Sequence, residues 1–193
     1  MIGRLTGKLL GKEPPLLWLD VNGVGYECEA PLSTFYKLPE VGQGFSVHTH
    51  LIVREDSQTL VAFASTAEKA LFRQLIKLSG VGPKSALTIL SGISVEDFWE
   101  TVRAQDSAKL TRLPGIGKKT AERLVLELKD KAGEHATTVA RPAGTDGAVP
   151  QAVSALVNLG YKPAEAQRLA EAAYRAGDPA EQVIREALKR ALR

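Results

Sequence analysis

Two glycine-containing segments in the middle of the chain have the residue types of a phosphate-binding site. Gly80-Val81-Gly82 is followed by Lys84, and Gly115-Ile116-Gly117 is followed by Lys118 and Lys119. Glycine permits backbone angles barred to other residues and places no Cβ in front of the amides. If each segment opens a helix, its unpaired N–H groups and the helix dipole favour an anion, and the lysines add positive charge. The apolar residue between the glycines is predicted to turn inward and anchor each turn.

These two segments belong to an internal repeat. LSGVGPKSALTIL at 78–90 aligns with LPGIGKKTAERLV at 113–125, with Leu, Gly, Gly, Lys and Ala in register. Apolar helical stretches flank both copies, so the pattern predicts a helix, a Gly-x-Gly turn and a helix, twice. One copy alone would equally fit an ordinary turn in a helical bundle. Two copies favour a pair of binding sites for a nucleic-acid backbone. Such sites would bind without reading bases, and their affinity would fall as salt concentration rises.

The segments before and after the repeat have different periods. Residues 1–64 alternate apolar and polar side chains in five short runs, with Asn22-Gly23 as a hairpin turn. The predicted strands are Ile2–Leu10, Leu16–Val21, Val24–Ala30, Phe45–Val53 and Leu60–Ala64. Five strands favour a small closed barrel of the OB type over a sandwich, because so few strands cover two sheets poorly. From Thr66 the period becomes helical, and Ser94 and Asp97 indicate the start of a further helix.

The rest of the chain is predicted to be a linker and a small bundle. Residues 133–148 have little apolar content and no period, which is typical of a linker. Three amphipathic segments follow, at Pro150–Leu159, Pro163–Ala176 and Pro179–Leu192, with Gly160 and Gly177 as helix stops. The sequence therefore predicts an α+β multidomain protein. Its parts are an OB-like β-barrel (1–64), an all-α tandem helix-hairpin-helix domain (65–132), a flexible linker (133–148) and a three-helix bundle (149–193).

Charge and composition narrow the functional classes. The chain of 193 residues has net charge +3, distributed as −2 over residues 1–64, +3 over 65–135 and +2 over 136–193. The basic middle therefore coincides with the glycine repeat. No apolar run is long enough to span a membrane, and the N-terminus lacks a signal-peptide pattern. The single Cys28 predicts a reducing, cytoplasmic location, and one cysteine with three histidines predicts no structural metal site.

Three other functions compete with a structural DNA-binding role. A helix-hairpin-helix glycosylase or lyase would need an aspartate about twenty residues after the hairpin lysine, and neither Asp130 nor Asp146 is well placed relative to Lys119. A metal-dependent junction nuclease would need clustered carboxylates, whereas Glu55-Asp56 is an isolated pair. A general architectural duplex binder fits the hairpins equally well. A nucleotide P-loop is excluded because no Gly-Lys in the chain is followed by Ser or Thr.

Motifs along the whole chain resemble those of one family. They are MIGRL at 1–5, VGYE at 24–27, VRED at 53–56, LIKLSGVGPK at 75–84, LPGIGKKTAERL at 113–124 and NLGYKP at 158–163. The chain resembles the RuvA family, the bacterial Holliday-junction-binding subunits of the branch-migration complex. The resemblance implies a non-catalytic DNA-binding homotetramer that holds a four-way junction open and planar, in recombination, DNA repair and the SOS response. It leaves open whether one tetramer or two face-to-face tetramers bind the DNA.

The resemblance also assigns roles to residues that have a different interpretation alone. Glu55 and Asp56, in isolation a solvated turn between the last two strands, become an acidic pin at the junction centre. The bundle becomes the binding site for the hexameric ATPase RuvB, which supplies the ATP hydrolysis, and the resolvase RuvC is a further implied partner. Leu159, Tyr161 and Ile184 are candidate contacts for the motor, although in so small a bundle most of them are expected to be core. No catalytic residue, metal or cofactor is predicted.

Overall fold

The computed structural model describes residues 1–139, 147–175 and 177–191 of the chain. Contacts divide the chain into two compact units, Met1–Ala136 and Thr137–Arg193. The first unit contains the predicted barrel and the predicted hairpin repeat, and the second contains the predicted bundle.

Five strands of the first unit close into a barrel in the order β1-β2-β3-β5-β4. They are β1 (Arg4–Glu13), β2 (Leu16–Val21), β3 (Val24–Glu29), β4 (Gly44–Val53) and β5 (Gln58–Phe63). Antiparallel pairing of β1 with β4 and a parallel bridge between Glu29 of β3 and Val61 of β5 complete the ring. Alternate residues such as Leu17 and Leu19 are fully buried inside it. The barrel predicted from the strand pattern is therefore confirmed, and the sandwich alternative is wrong.

The turn between β2 and β3 has the geometry that its sequence predicted. Asn22 and Gly23 both have positive φ, 53° and 88°, which matches the twist of a two-residue hairpin. The Asp20 carboxylate accepts a hydrogen bond from the Gly23 N–H at 2.7 Å. The bounds of β3 and β4 differ from the predicted ones by one residue, and β5 begins two residues earlier than predicted. The largest difference is in β1, which begins at Arg4 and continues beyond Leu10 to Glu13 after a register shift at Leu9/Gly11.

Six helices belong to the first unit: α1 (Leu32–Phe35), α2 (Thr66–Leu75), α3 (Pro83–Gly92), α4 (Val95–Arg103), α5 (Ser107–Leu110) and α6 (Lys118–Val139). Helix α1 lies within the barrel sequence, and the other five form the hairpin repeat. Ser65 caps α2 in a reciprocal capping box with Glu68. Ser94 caps α4 by accepting the Asp97 N–H at 3.0 Å, which confirms the helix start predicted there.

The barrel has its own hydrophobic core, and strand β5 also packs into a second core that the helices form. Val61 and Phe63 of β5 are fully buried in the cluster formed by the helices, and the rings of Phe63 and Phe72 lie 5.0 Å apart. The Leu32 N–H of α1 also donates to the Ser91 hydroxyl of α3 at 3.0 Å. The predicted boundary between residues 64 and 65 thus separates two folds within a single compact unit.

The predicted linker overlaps a helix. α6 passes Gly133 and ends at Val139, and the next helix begins at Ala148. Helical structure therefore occupies the first part of the range 133–148, and residues 140–146 lie outside the described residues. The linker as a whole stays a prediction.

The second unit is a bundle of α7 (Ala148–Asn158), α8 (Pro163–Ala173) and α9 (Ala180–Ala191). Its core is small and mostly alanine: Ala152, Leu156, Ala166, Ala170, Ala173, Val183 and Ala187. Gly160 follows the end of α7 with φ +100°, and the Tyr161 N–H donates back to the Leu156 carbonyl at 3.2 Å. This is the glycine helix stop that the sequence predicted. α8 ends at Ala173, earlier than the predicted Ala176.

Candidate nucleic-acid interface

The two glycine segments form turns with the same hydrogen bonds. We call residues 76–82 hairpin 1, between α2 and α3, and residues 111–117 hairpin 2, between α5 and α6. In hairpin 1 the Val81 N–H donates to the Leu78 carbonyl at 3.1 Å, and in hairpin 2 the Ile116 N–H donates to the Leu113 carbonyl at 3.1 Å. The sequence repeat is therefore also a repeat of backbone structure.

The glycines of each hairpin divide into two kinds. Gly80 and Gly115 have positive φ, +84° and +74°, a conformation that side-chain-bearing residues rarely adopt. Gly82 has φ −83° and ψ 171°, an extended conformation open to any residue, and it is the N-cap of α3. A Cβ added at Gly82 or Gly117 would meet no atom within 4 Å. The first glycine thus shapes the turn, and the second leaves open space at the start of the helix.

Each hairpin presents the N-terminus of the helix that follows it. The first helical hydrogen bonds run from Ala86 to the Gly82 carbonyl and from Ala121 to the Gly117 carbonyl, both at 3.0 Å. Amides that precede these donors lie in the first turn, where a helix offers them no acceptor. They form the positive end of the helix dipole, at a surface where the glycines are exposed. The geometry can hold one phosphate at each hairpin.

The apolar residue of each turn points into the core. Val81 is 5% exposed and Ile116 is 4% exposed, and both belong to the main helical cluster. The inward direction predicted for these two residues is confirmed. Their role is to fix the hairpins to the helices, because buried side chains of this size leave the turns little freedom to move.

The lysines beside the hairpins differ in their partners. Lys84 and Lys119 occupy equivalent positions in the repeat, are exposed, and form no ion pair within the described part of the chain. Lys118 lies 4.0 Å from Glu122 on the same helix with 85% of its side chain exposed, a pair that contributes little in water. All three ammonium groups can therefore reach an anion at the hairpins.

Two further cations were missed in the sequence. Lys77 and Arg112 precede the Leu of each hairpin motif and are both exposed. They occupy equivalent positions one residue before the aligned segments, so extending the repeat by one residue would have found them. Each adds an exposed positive charge next to its turn.

Glu55 and Asp56 form the exposed tip of the tight turn between β4 and β5. The Arg54 N–H donates to the Ser57 carbonyl at 2.8 Å and closes this turn. The Ser57 hydroxyl donates to the Asp56 carboxylate at 3.3 Å. Neither carboxylate belongs to an ion pair among the residues that the structure describes.

The stem of this acidic turn and hairpin 1 line the same groove. Its volume is about 970 Å³, and its lining includes Arg54 and Ser57 from the turn, Gly82 from hairpin 1 and Lys84 from the start of α3. The fold therefore places the base of the acidic turn and the end of hairpin 1 at one groove of the first unit. Sequence spacing gave no indication of this arrangement, because 24 residues separate Asp56 from Gly80.

The three candidate contacts of the bundle have different surroundings. Leu159 is 62% exposed, whereas Tyr161 and Ile184 are partly buried and pack against the bundle core. Leu159 is thus the one of the three that has a large apolar surface available to a partner.

Membrane-spanning helices and metal-binding clusters are both absent from the described residues. No helix among them is long and apolar enough to cross a membrane. No group of three or more His, Cys, Asp or Glu side chains among them is placed to hold a metal ion.

The closed five-stranded barrel followed by tandem helix-hairpin-helix turns places this chain among barrel-containing helix-hairpin-helix proteins. Models of known protein families match the chain with the same domains in the same order. The model described as the RuvA N terminal domain matches residues 1–60, and the SAM-like helix-hairpin-helix tandem model matches residues 72–130. The model of the RuvA C-terminal domain matches residues 147–192. The chain belongs to the RuvA family.

Curated relatives match over the whole chain. A protein of Thioalkalivibrio sulfidiphilus is 54% identical over 201 residues, covering 100% of both chains. Relatives from Stutzerimonas stutzeri and Stenotrophomonas maltophilia are each 52% identical, covering 98% and 100% of both chains. All three carry the name Holliday junction branch migration complex subunit RuvA.

Proposed function

We propose that this chain binds four-way DNA junctions through their phosphates, without regard to base sequence, as a subunit of a branch-migration complex. The observation that carries the proposal is the pair of equivalent helix N-termini, each opened by an exposed glycine turn and flanked by exposed lysines. Its relatives are named as subunits of such a complex. In this proposal the complex acts in DNA recombination and repair.

The hairpins account for affinity but not for the choice of a junction. Backbone amides and lysines contact phosphate oxygens, which are the same at every base pair. The residues that we propose as DNA contacts are Gly80, Gly82, Lys84, Gly115, Gly117, Lys118 and Lys119. Val81 and Ile116 belong to the same binding elements, but they are buried and hold the two turns in place. Any duplex with two suitably spaced phosphates would satisfy these contacts, so a second feature must discriminate against continuous duplex.

Glu55 and Asp56 supply this discrimination in our proposal. Their carboxylates repel phosphates, and their turn lies beside the groove that also contains Gly82 and Lys84. In a homotetramer with four-fold symmetry, eight such carboxylates would surround one point. A continuous duplex crossing that point would carry its phosphates against the carboxylates, whereas an open junction places its strands around them.

The test is a variant that removes the pin charges. Glu55→Gln with Asp56→Asn is expected to bind linear duplex more tightly and to lose its preference for a four-way junction. Glu96→Gln with Glu100→Gln removes two negative charges from exposed positions of α4 and serves as the matched control. Junction-to-duplex affinity ratios are measured at fixed salt, because salt alone changes both affinities. A ratio that is unchanged in the pin variant would refute the role of the pin.

We further propose that the helical bundle recruits the motor ATPase of the complex, and that this chain itself hydrolyses no ATP. Leu159 is the best-placed contact, because its exposed side chain can be removed without opening the core. Leu159→Ser is expected to reduce stimulation of a RuvB-type ATPase by the chain while the unfolding midpoint stays constant. Ile184→Ala, which truncates a side chain packed on the core, is expected to lower that midpoint. Normal stimulation by Leu159→Ser would contradict this assignment.

The division of labour along the chain follows from these proposals. In this proposal, which places the protein in the cytoplasm, residues 1–64 carry the acidic turn, residues 65–132 hold DNA and residues 149–193 bind the motor. The linker proposed for 133–148 begins with the last turns of α6. A deletion of residues 145–193 leaves α6 whole, since that helix ends at Val139. It is expected to keep junction binding and to abolish stimulation of the motor. Loss of junction binding in the deleted chain would show that the division is wrong. A RuvC-type resolvase is a further proposed partner at the junction.

A further inference from the structure

One side chain of the second repeat reaches into the first. Arg123 of α6 donates a hydrogen bond from its guanidinium to the carbonyl of Ser79, in hairpin 1, at 2.8 Å. The same guanidinium lies 3.6 Å from the position that a Cβ would occupy on Gly80. Its Nε lies 3.9 Å from the carboxylate of Glu127, one turn along α6. The first phosphate-binding turn is therefore tied to the helix that begins at the second.

Comparison of the two copies of the repeat shows that this contact has no counterpart at the equivalent positions of hairpin 2. Thr88 occupies the position equivalent to Arg123, and Pro114 the position equivalent to Ser79. Thr88 donates its hydroxyl proton to the Lys84 carbonyl of its own helix at 3.0 Å, and it lines the groove together with Pro114. Within the described residues, no arginine therefore holds hairpin 2 in the way that Arg123 holds hairpin 1.

A second contact joins hairpin 2 to the far end of α3, the helix that begins at hairpin 1. The Leu113 side chain of hairpin 2 lies so close to Gly92 that a Cβ there would come within 2.6 Å of it. An apolar contact of this kind limits separation of the elements but sets no direction. The hydrogen bond from Arg123 adds direction, because a guanidinium is planar and its donors are fixed relative to one another.

We propose that Arg123 is a positioning residue that sets the distance between the two phosphate sites. It does so by fixing the Ser79-Gly80 backbone relative to α6. Two phosphate sites bind DNA much more tightly than one only if the distance between them matches the distance between two phosphates. The second site then binds DNA that the first site already holds, so its binding is intramolecular. This inference rests on the proposed binding of DNA by both hairpins. It assigns to Arg123 no contact with the DNA.

The test compares Arg123→Leu with Thr88→Ala, its matched control at the equivalent position. The full-length chain is used, and unfolding midpoints verify that both variants fold, which the half-exposed position of Arg123 favours. Arg123→Gln, which is polar but shorter, is a second variant expected to behave as Arg123→Leu does. Lys119→Ala is included as a variant of a proposed phosphate contact.

The first readout is amide hydrogen exchange in the free protein. The Val81 N–H of hairpin 1 and the Ile116 N–H of hairpin 2 each donate to a carbonyl three residues earlier at 3.1 Å. Arg123→Leu is expected to speed exchange at Val81 and to leave Ile116 unchanged, whereas Thr88→Ala changes neither. Equal acceleration at both amides would overturn the proposal, because it would indicate a general loosening of the helices.

The second readout is binding to a synthetic four-way junction over a range of salt concentrations. Arg123→Leu is expected to weaken binding about tenfold, the scale of one lost hydrogen bond to a charged group, with an unchanged slope of log affinity against log salt. Lys119→Ala is expected to reduce the magnitude of that slope by about one. Arg123→Leu is also expected to bind a duplex too short to reach both hairpins as the original chain does.

Three results would overturn the proposal. A salt slope reduced by about one in Arg123→Leu would make Arg123 a phosphate contact. Unchanged junction affinity would remove any effect on spacing, and equal losses on short duplex and junction would point to damage within hairpin 1 alone. If the original chain bound no junction, the proposed function would fail, while the exchange at Val81 and Ile116 would still report on the tie.

Discussion

Alanine at Gly82 is expected to separate DNA binding from stability, because the structure places this glycine in unstrained backbone. With φ −83° and ψ 171°, Gly82 has a conformation that alanine adopts freely, and the added methyl group would meet nothing within 4 Å. The lower entropy of the unfolded chain favours the variant by about 0.4–1 kcal/mol. Loss of a favourable N-cap residue opposes this by a similar amount. The free energy of unfolding is therefore expected to change by less than about 0.5 kcal/mol.

The effect of Gly82→Ala on binding is expected to be much larger. In the proposed binding mode a phosphate approaches the first amides of α3 through the open space beside Gly82, and a methyl group would occupy that space. Losing one hydrogen bond to a charged group costs about 1.5–3 kcal/mol. Affinity for a four-way junction should therefore fall by about ten- to a hundredfold at fixed salt.

Gly80→Ala is the matched comparison within the same turn. Gly80 has φ +84°, so alanine there is expected to cost about 1–2 kcal/mol of stability through backbone strain alone. Urea unfolding followed by circular dichroism gives the stabilities, and fluorescence anisotropy with a labelled junction gives the affinities. Junction binding by Gly82→Ala at the original strength would refute the amide contact. Equal destabilisation by the two substitutions would contradict the backbone geometry of the turn.

Three predictions concern the first unit away from the hairpins. Burial raises the pKa of the Cys28 thiol from 9.0 to about 12, so a disulfide reagent at pH 8 should label it only as fast as the chain unfolds; rapid labelling of folded protein would contradict this. Burial, with the charges of Arg73 and Lys69, lowers the pKa of His50 below 6.5, so stability should fall as pH drops below 6.5. His50→Gln should reduce that loss in acid unfolding curves. Ser65→Ala removes the cap of α2 and should cost about 1 kcal/mol in urea unfolding.

The sequence predicted the local features of the fold well. Strand alternation and Asn22-Gly23 identified all five barrel strands with bounds within three residues, because side-chain period and turn chemistry are properties of short segments. The glycine repeat identified both hairpins for the same reason. The direction of Val81 and Ile116 followed from their position between two glycines in an otherwise helical segment.

Features that depend on tertiary structure were not predictable. The continuation of α6 past Gly133 was missed because one glycine costs a helix only about 1 kcal/mol, which its neighbours can offset. The Arg123 contact joins residues that are 44 positions apart. No pattern in the sequence distinguishes this arginine from one that makes no tertiary contact. The common groove of the acidic turn and hairpin 1 depends on packing of the barrel against α3, which periodicity does not describe.

Salt dependence of binding to four-way junctions of two unrelated sequences tests the central claim most directly. If both hairpins hold phosphates, the two junctions should bind with the same affinity at each salt concentration. Log affinity should also fall linearly with log salt, with a slope that reflects several released counterions. An affinity that follows base sequence, or one that does not change with salt, would contradict binding through the hairpin amides and lysines.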